Sequence, residues 1–69
     1  METYTIQGMT CEHCTRAVTR ALAKVPRVTR VIGVDLARGE ARIEGSPDEA
    51  AVVAAIRDEG YEARRVPSP

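Results

Sequence analysis

The sequence predicts an α+β fold, a ferredoxin-like βαββαβ sandwich with a four-stranded antiparallel sheet and two helices on one face. Three observations carry that expectation. Residues 2–7 and 40–44 alternate apolar and polar side chains, the signature of half-buried strands. Two further stretches repeat apolar residues at helical spacing. The segments follow in the order strand, helix, strand, strand, helix, strand. Right-handed crossovers then place both helices on the same side of the sheet, and the other side can stay wet. The 69 residues make one domain, 1–69, with a thin core.

In the first strand, 2–7, Tyr4 and Ile6 face inward, and Thr3, Thr5 and Gln7 face outward. A loop follows through Gly8-Met9-Thr10-Cys11-Glu12-His13. From about Cys14 to Lys24, Ala17, Val18, Ala21 and Leu22 fall on one helical stripe, with Val25 closing the set. Pro26 ends the helix, because the residue before a proline is pushed out of helical geometry. Residues 28–36 read as the second strand. Val28, Val31, Val34 and Leu36 cannot share a face at strict period two, so an extra residue near Ile32-Gly33, a β-bulge, is expected. Ala37-Arg38-Gly39 turns the chain, with Gly39 at positive φ. Strand 40–44 then points Ala41 and Ile43 inward. Ser46 is the expected N-cap of the second helix, with Pro47 in its first position and Glu49 completing a capping box. That helix buries Val52, Val53 and Ile56, runs to about Glu59, and ends on a left-handed Gly60. Tyr61–Arg65 forms the fourth strand, and 66–69 is a frayed tail.

Composition narrows the function. Ten basic residues balance ten acidic ones, which argues against a nucleic-acid binder. No apolar run is long enough for membrane insertion. The N-terminus lacks the basic start and apolar stretch of a secretory signal, so the expected location is cytoplasmic, in a reducing compartment. The starting Met1 favours a free-standing chain over a domain excised from a transporter.

The two cysteines, Cys11 and Cys14, form a Cys-x-x-Cys pair where a strand gives way to a helix. The free N–H groups and partial positive charge at a helix start favour thiolate over thiol. Two soft thiolates without further obvious ligands suit a soft, low-coordinate ion. Cu(I) accepts two ligands, whereas zinc takes four. A redox role for the same pair is the competing reading, but thiol–disulfide exchangers usually carry it on a thioredoxin-like scaffold, with a different element order. Two inert, buried structural cysteines are the third.

Gly8-Met9-Thr10-Cys11-Glu12-His13-Cys14 resembles the GMTCxxC signature of heavy-metal-associated domains. Val25-Pro26 after the first helix and Gly60-Tyr61 after the second match as well, so the resemblance covers roughly residues 3–66. Within that family the chain is most similar to free-standing bacterial copper chaperones, then to N-terminal domains of copper-exporting P-type ATPases. The resemblance implies a carrier, not an enzyme: a metallochaperone that holds one Cu(I) and passes it by thiolate exchange. Its expected partner is a heavy-metal P-type ATPase or the soluble metal-binding domain of one.

It also implies roles. Cys11 and Cys14 match the two metal ligands. Met9 matches a residue tucked beneath the loop. Thr10 occupies a position that is often acidic in zinc- or cadmium-selective relatives, so its lack of charge favours Cu(I). Tyr61 matches an aromatic residue beside the metal loop, where it either shields the site or simply joins the core. His13 is either a solvated loop residue or a third ligand, able to bridge two molecules. The expected state is a monomer, with a metal-bridged dimer as the variant. The extra residue near Ile32-Gly33 departs from the family pattern and is expected to alter a strand edge and not metal binding. A zinc or mercury carrier on the same scaffold remains the alternative cargo reading.

Arg16, Arg20 and Lys24 recur every four residues and share one helix face. They form either a docking stripe for an acidic partner patch or an ordinary solvated face.

Overall fold

In the computed structural model, which describes residues 1–67, the alternation in the sequence becomes a sheet with one dry side. Strand β1 (Glu2–Gln7) buries Tyr4 and Ile6, and β3 (Glu40–Gly45) buries Ala41 and Ile43 on the same side. With β2 (Val28–Asp35) and β4 (Glu62–Val66) they form a four-stranded sheet of order β2-β3-β1-β4, all neighbours antiparallel. Helix α1 (Glu12–Ala23) packs on β2, and α2 (Glu49–Asp58) on β4. The helices meet over the sheet, and Val18, Leu22, Val52 and Ile56 close the core without solvent exposure. Each fully buried aliphatic side chain of this kind contributes about 1.5–3 kcal/mol. The topology is the expected ferredoxin-like sandwich.

Several boundaries differ from the sequence expectation, each for a local reason. Helix α1 starts at Glu12, two residues before Cys14, because Cys11 takes the extended N-cap conformation. Helix α2 takes Asp48, not Ser46, as its N-cap: the Asp48 carboxylate accepts the Ala50 N–H at 3.2 Å. Pro47 therefore stays outside the helix and is buried. Val53 is only half-buried, since Val52 and Ile56 already occupy the core side of the helix.

Strand β2 carries two irregularities where one was expected. Its register against β3 slips between Val28 and Arg30 and again between Val31 and Gly33, leaving Thr29 and Ile32 as the extra residues. Both slips restore Val28, Val31 and Val34 to the half-buried side. Leu36 leaves the strand altogether and is exposed in the following turn. Strand β4 starts one residue late and ends on Val66, which pairs with Thr3. Val66 is thus part of the sheet and not of a tail; the rest of that expectation, for Ser68 and Pro69, lies outside the described residues.

Gly39 and Gly60 adopt the positive φ expected of them. Gly45 matters more to packing. At φ +120, a Cβ there would run into the carbonyl oxygen of Arg27, whose own φ is +72. The backbone at this crossing, where Ser46 N–H donates to the Arg27 carbonyl at 3.1 Å, admits no side chain.

Candidate metal centre

The loop between β1 and α1 is built by its glycine. Gly8 sits at φ +102, and a Cβ on it would lie 3.1 Å from Cδ1 of Tyr61. The bare Gly8 backbone lets the half-buried Tyr61 ring close against the loop. Met9 is half-buried and packs on the core, anchoring the same loop from below.

Cys11 then turns the chain into α1. No side chain caps this helix start; instead the Cys11 carbonyl accepts the N–H of Cys14 at 3.0 Å. This turn brings the two sulfurs to 3.9 Å of each other. They are not equivalent. Cys11 is exposed, while Cys14 is nearly covered, at 9% exposure.

The environment of Cys14 favours its charged form. Thr10 donates its backbone N–H to Cys14 Sγ at 3.5 Å, and Thr10 Oγ1 lies 3.8 Å from the same sulfur. The Cys14 thiol is held down from 9.0 to about 6, first by the Thr10 N–H, then by the Tyr61 hydroxyl and the Cys11 N–H. The hydroxyl of Tyr61 is raised in turn, chiefly because it donates to Cys14. Hydrogen bonds to an anion stabilise the anion and hold the donor's proton in place. These donors favour the thiolate, the form in which cysteine binds metals and attacks electrophiles.

The other residues singled out in the sequence fall into two groups. Thr10, Tyr61 and Met9 gather at the cysteine pair, Thr10 and Tyr61 by direct interaction with Cys14 and Met9 beneath the loop. His13 is exposed and points into an open depression of about 530 Å³, which it lines with Thr15, Arg16, Thr19, Arg20 and Val34. Lys24 is exposed beyond the end of α1 and does not line that depression. The ion pairs among the described residues are Arg38–Asp35 and Arg65–Glu2, so Arg16, Arg20 and Lys24 all lack a carboxylate partner there. No group of three or more His, Cys, Asp and Glu side chains comes together among the described residues. Two participants escaped sequence reasoning. Gly8 is one in its role: it opens the motif read in the sequence, but nothing local assigns it the close approach to Tyr61. Val34 is the other, and nothing in the sequence placed it beside His13.

The chain matches known proteins over most of its length. Residues 3–62 match the model of the heavy-metal-associated domain. Copper-transporting ATPase 1 of Rhizobium meliloti is 40% identical over 94% of the chain, which spans only 8% of that protein's length. Copper chaperone CopZ of Staphylococcus haemolyticus is 37% identical, with 86% of this chain and 90% of that one covered. Among solved structures, the N-terminal domain of PacS from Synechocystis superposes with a TM-score of 0.87 at 29% identity, covering 96% of both chains. The N-terminal domain of ZntA in its Zn(II) form has a TM-score of 0.83 at 26% identity, covering 99% of this chain and 93% of that one. With a family match over most of its length and a full-length relative above 30% identity, the chain belongs to the heavy-metal-associated domain family.

Proposed function

We propose that this protein is a metallochaperone that binds one Cu(I) between Cys11 and Cys14 and passes it to a copper-transporting P-type ATPase, or to a soluble metal-binding domain of one. The observation that carries this reading is the sulfur pair itself: two thiols 3.9 Å apart, one of them exposed and the other poised as a thiolate. Two sulfurs this close can both reach a single ion placed between them. Two sulfurs without a third donor in the cluster suit Cu(I) better than zinc, which takes four ligands. The uncharged Thr10 points the same way, since it contributes no hard carboxylate oxygen.

Transfer follows from the unequal exposure. A partner thiolate reaches the ion from the Cys11 side, and a third sulfur–metal bond forms before an original one breaks. The incoming thiol gives up its proton, the released cysteine takes one up, and no electrons change hands. Because the ion is never free, tight binding and quick exchange are compatible. In this reading the protein is a monomeric, single-domain carrier without catalytic activity, working in a reducing compartment such as the cytoplasm, where the two thiols stay unlinked. Arg16, Arg20 and Lys24 steer the acidic surface of the partner toward the loop.

An anaerobic competition titration of the reduced protein, with Cu(I) and Zn(II) against chelators of each, tests the proposal. The expected result is one Cu(I) per chain, held far more tightly than zinc and lost in the Cys11→Ser, Cys14→Ser double variant. Tighter zinc binding would reassign the cargo, and Cu(I) binding undiminished in the double variant would remove the site. Efficient reduction of insulin disulfides by the metal-free protein would favour the oxidoreductase reading instead.

A further inference from the structure

The bulged strand β2 has features that metal binding does not use. Bulges commonly re-aim side chains at functional surfaces. Of the two extra residues in β2, Ile32 stands 38% exposed, and the turn beyond presents Leu36, 37% exposed. They are two of only four large apolar residues exposed among the described ones. Both line an open depression of about 620 Å³ along the β2 edge, with Val34, Arg38 and Arg42 among its other walls. Val34 also lines the depression that holds His13, Arg16 and Arg20. One continuous surface therefore runs from the cysteine loop, along α1, over Val34, to the bulge.

The α1 half of this surface is cationic, with Arg16 and Arg20 lining its depression, whereas around the bulge Asp35 and Glu40 stand beside Arg38 and Arg42. From His13 to Val34 the sequence has five cations, Arg16, Arg20, Lys24, Arg27 and Arg30, and no acidic residue. None of the five pairs with a carboxylate among the described residues. We infer that the bulged edge of β2 is the apolar half of the partner-docking surface: Ile32 and Leu36 seat against an apolar spot on an acidic protein surface that the α1 cations attract. The inference rests on the carrier reading above and adds to it the element that confers partner choice. Burial of a few apolar anchors supplies most of the affinity in such interfaces, while the surrounding charges set approach and orientation.

The test uses the full chain loaded with Cu(I) and, as probe, the soluble metal-binding domain of the copper-transporting ATPase from the same cell. Ile32→Asn and Leu36→Asn change exposed side chains, and circular dichroism verifies the fold. Val66→Asn is the matched control, at 37% exposure on the opposite edge strand. Each edge variant is expected to weaken docking about five- to tenfold with Cu(I) affinity unchanged, and Val66→Asn to leave both as they are. Arg16→Glu with Arg20→Glu should weaken docking further and flatten its dependence on salt. Docking by Ile32→Asn and Leu36→Asn at wild-type strength overturns the inference and leaves the carrier reading standing. No docking by the wild type, with Cu(I) still bound, overturns the choice of partner and this inference together. Salt-sensitive binding to phosphatidylglycerol vesicles in place of the domain overturns it in favour of a membrane surface.

Discussion

The two helices begin differently. Both carry an acidic residue in the first turn, Glu12 in α1 and Glu49 in α2, favourable to the helix dipole, but at the start of α2 the Asp48 carboxylate also accepts the Ala50 N–H. At the start of α1 the same position holds Cys11, whose side chain caps nothing. A missing cap costs about 1 kcal/mol. What α1 gains is a sulfur free to face its neighbour and a thiolate at Cys14 supported by the N–H groups of Thr10 and Cys11. One helix start is spent on stability and the other on chemistry, and substitutions at the two ends should separate those purposes.

The largest effect is expected at the uncapped end. Cys14→Ser should lower Cu(I) affinity by several orders of magnitude in a chelator competition, since it removes the thiolate already poised to bind. Cys11→Asp should do the same while raising thermal stability by about 1 kcal/mol, because it supplies the absent cap. A Cys11→Asp variant that loses both metal and stability would show that the comparison is wrong. Gly8→Ala comes next: the Cβ crowds Tyr61 and φ +102 is strained for alanine, for a loss of about 1–3 kcal/mol in denaturant unfolding. It should also weaken the hydrogen bond from Tyr61 to Cys14, so the thiol's pKa should rise. At the capped end, Asp48→Ala should cost about 1 kcal/mol and leave Cu(I) affinity unchanged.

The pH dependence of the uncapped end has a definite sign. In the folded chain the Cys14 pKa lies near 6, against 9.0 as the ordinary value. The unfolded chain therefore binds more protons between those limits, and stability rises with pH across that window. The Cys14 contribution is complete above pH 9.0 and is lost as pH falls through about 6. The rate of Cys14 alkylation in a Cys11→Ser background should titrate with a midpoint near pH 6. Tyr61→Phe should move that midpoint upward, and an unmoved midpoint would remove Tyr61 from the site.

Legibility in the sequence followed the same division. The element order, the inward faces of β1 and β3 and the pairing of Cys11 with Cys14 could be read, because periodicity and a short spacing are local properties. The start of α2 was misread at Ser46 because Ser46-Pro47-Asp48-Glu49 offers two caps, and the burial of Pro47 outside the helix decides between them. The start of α1 was placed late because a cysteine N-cap has no capping signature. The second bulge was legible in principle: Val28 and Val31 are three apart, as are Val31 and Val34, and the same spacing carries the same slip. What no local pattern could supply was the meeting of Tyr61 with Gly8, or of Val34 with His13. Those contacts are made only when distant segments close over one another.

The pairing of β1 with β4 has one more consequence. Gln7 lies opposite Glu62 near the sulfur loop, whereas Thr3 lies opposite Val66 at the far end. About 13 Å of strand separates the two ends of this ladder. The cysteine pair lies at one pole, and both ends of the described chain lie at the other. Such a unit can be fused, tethered to a bead or strung in tandem through either end without its mouth being obstructed.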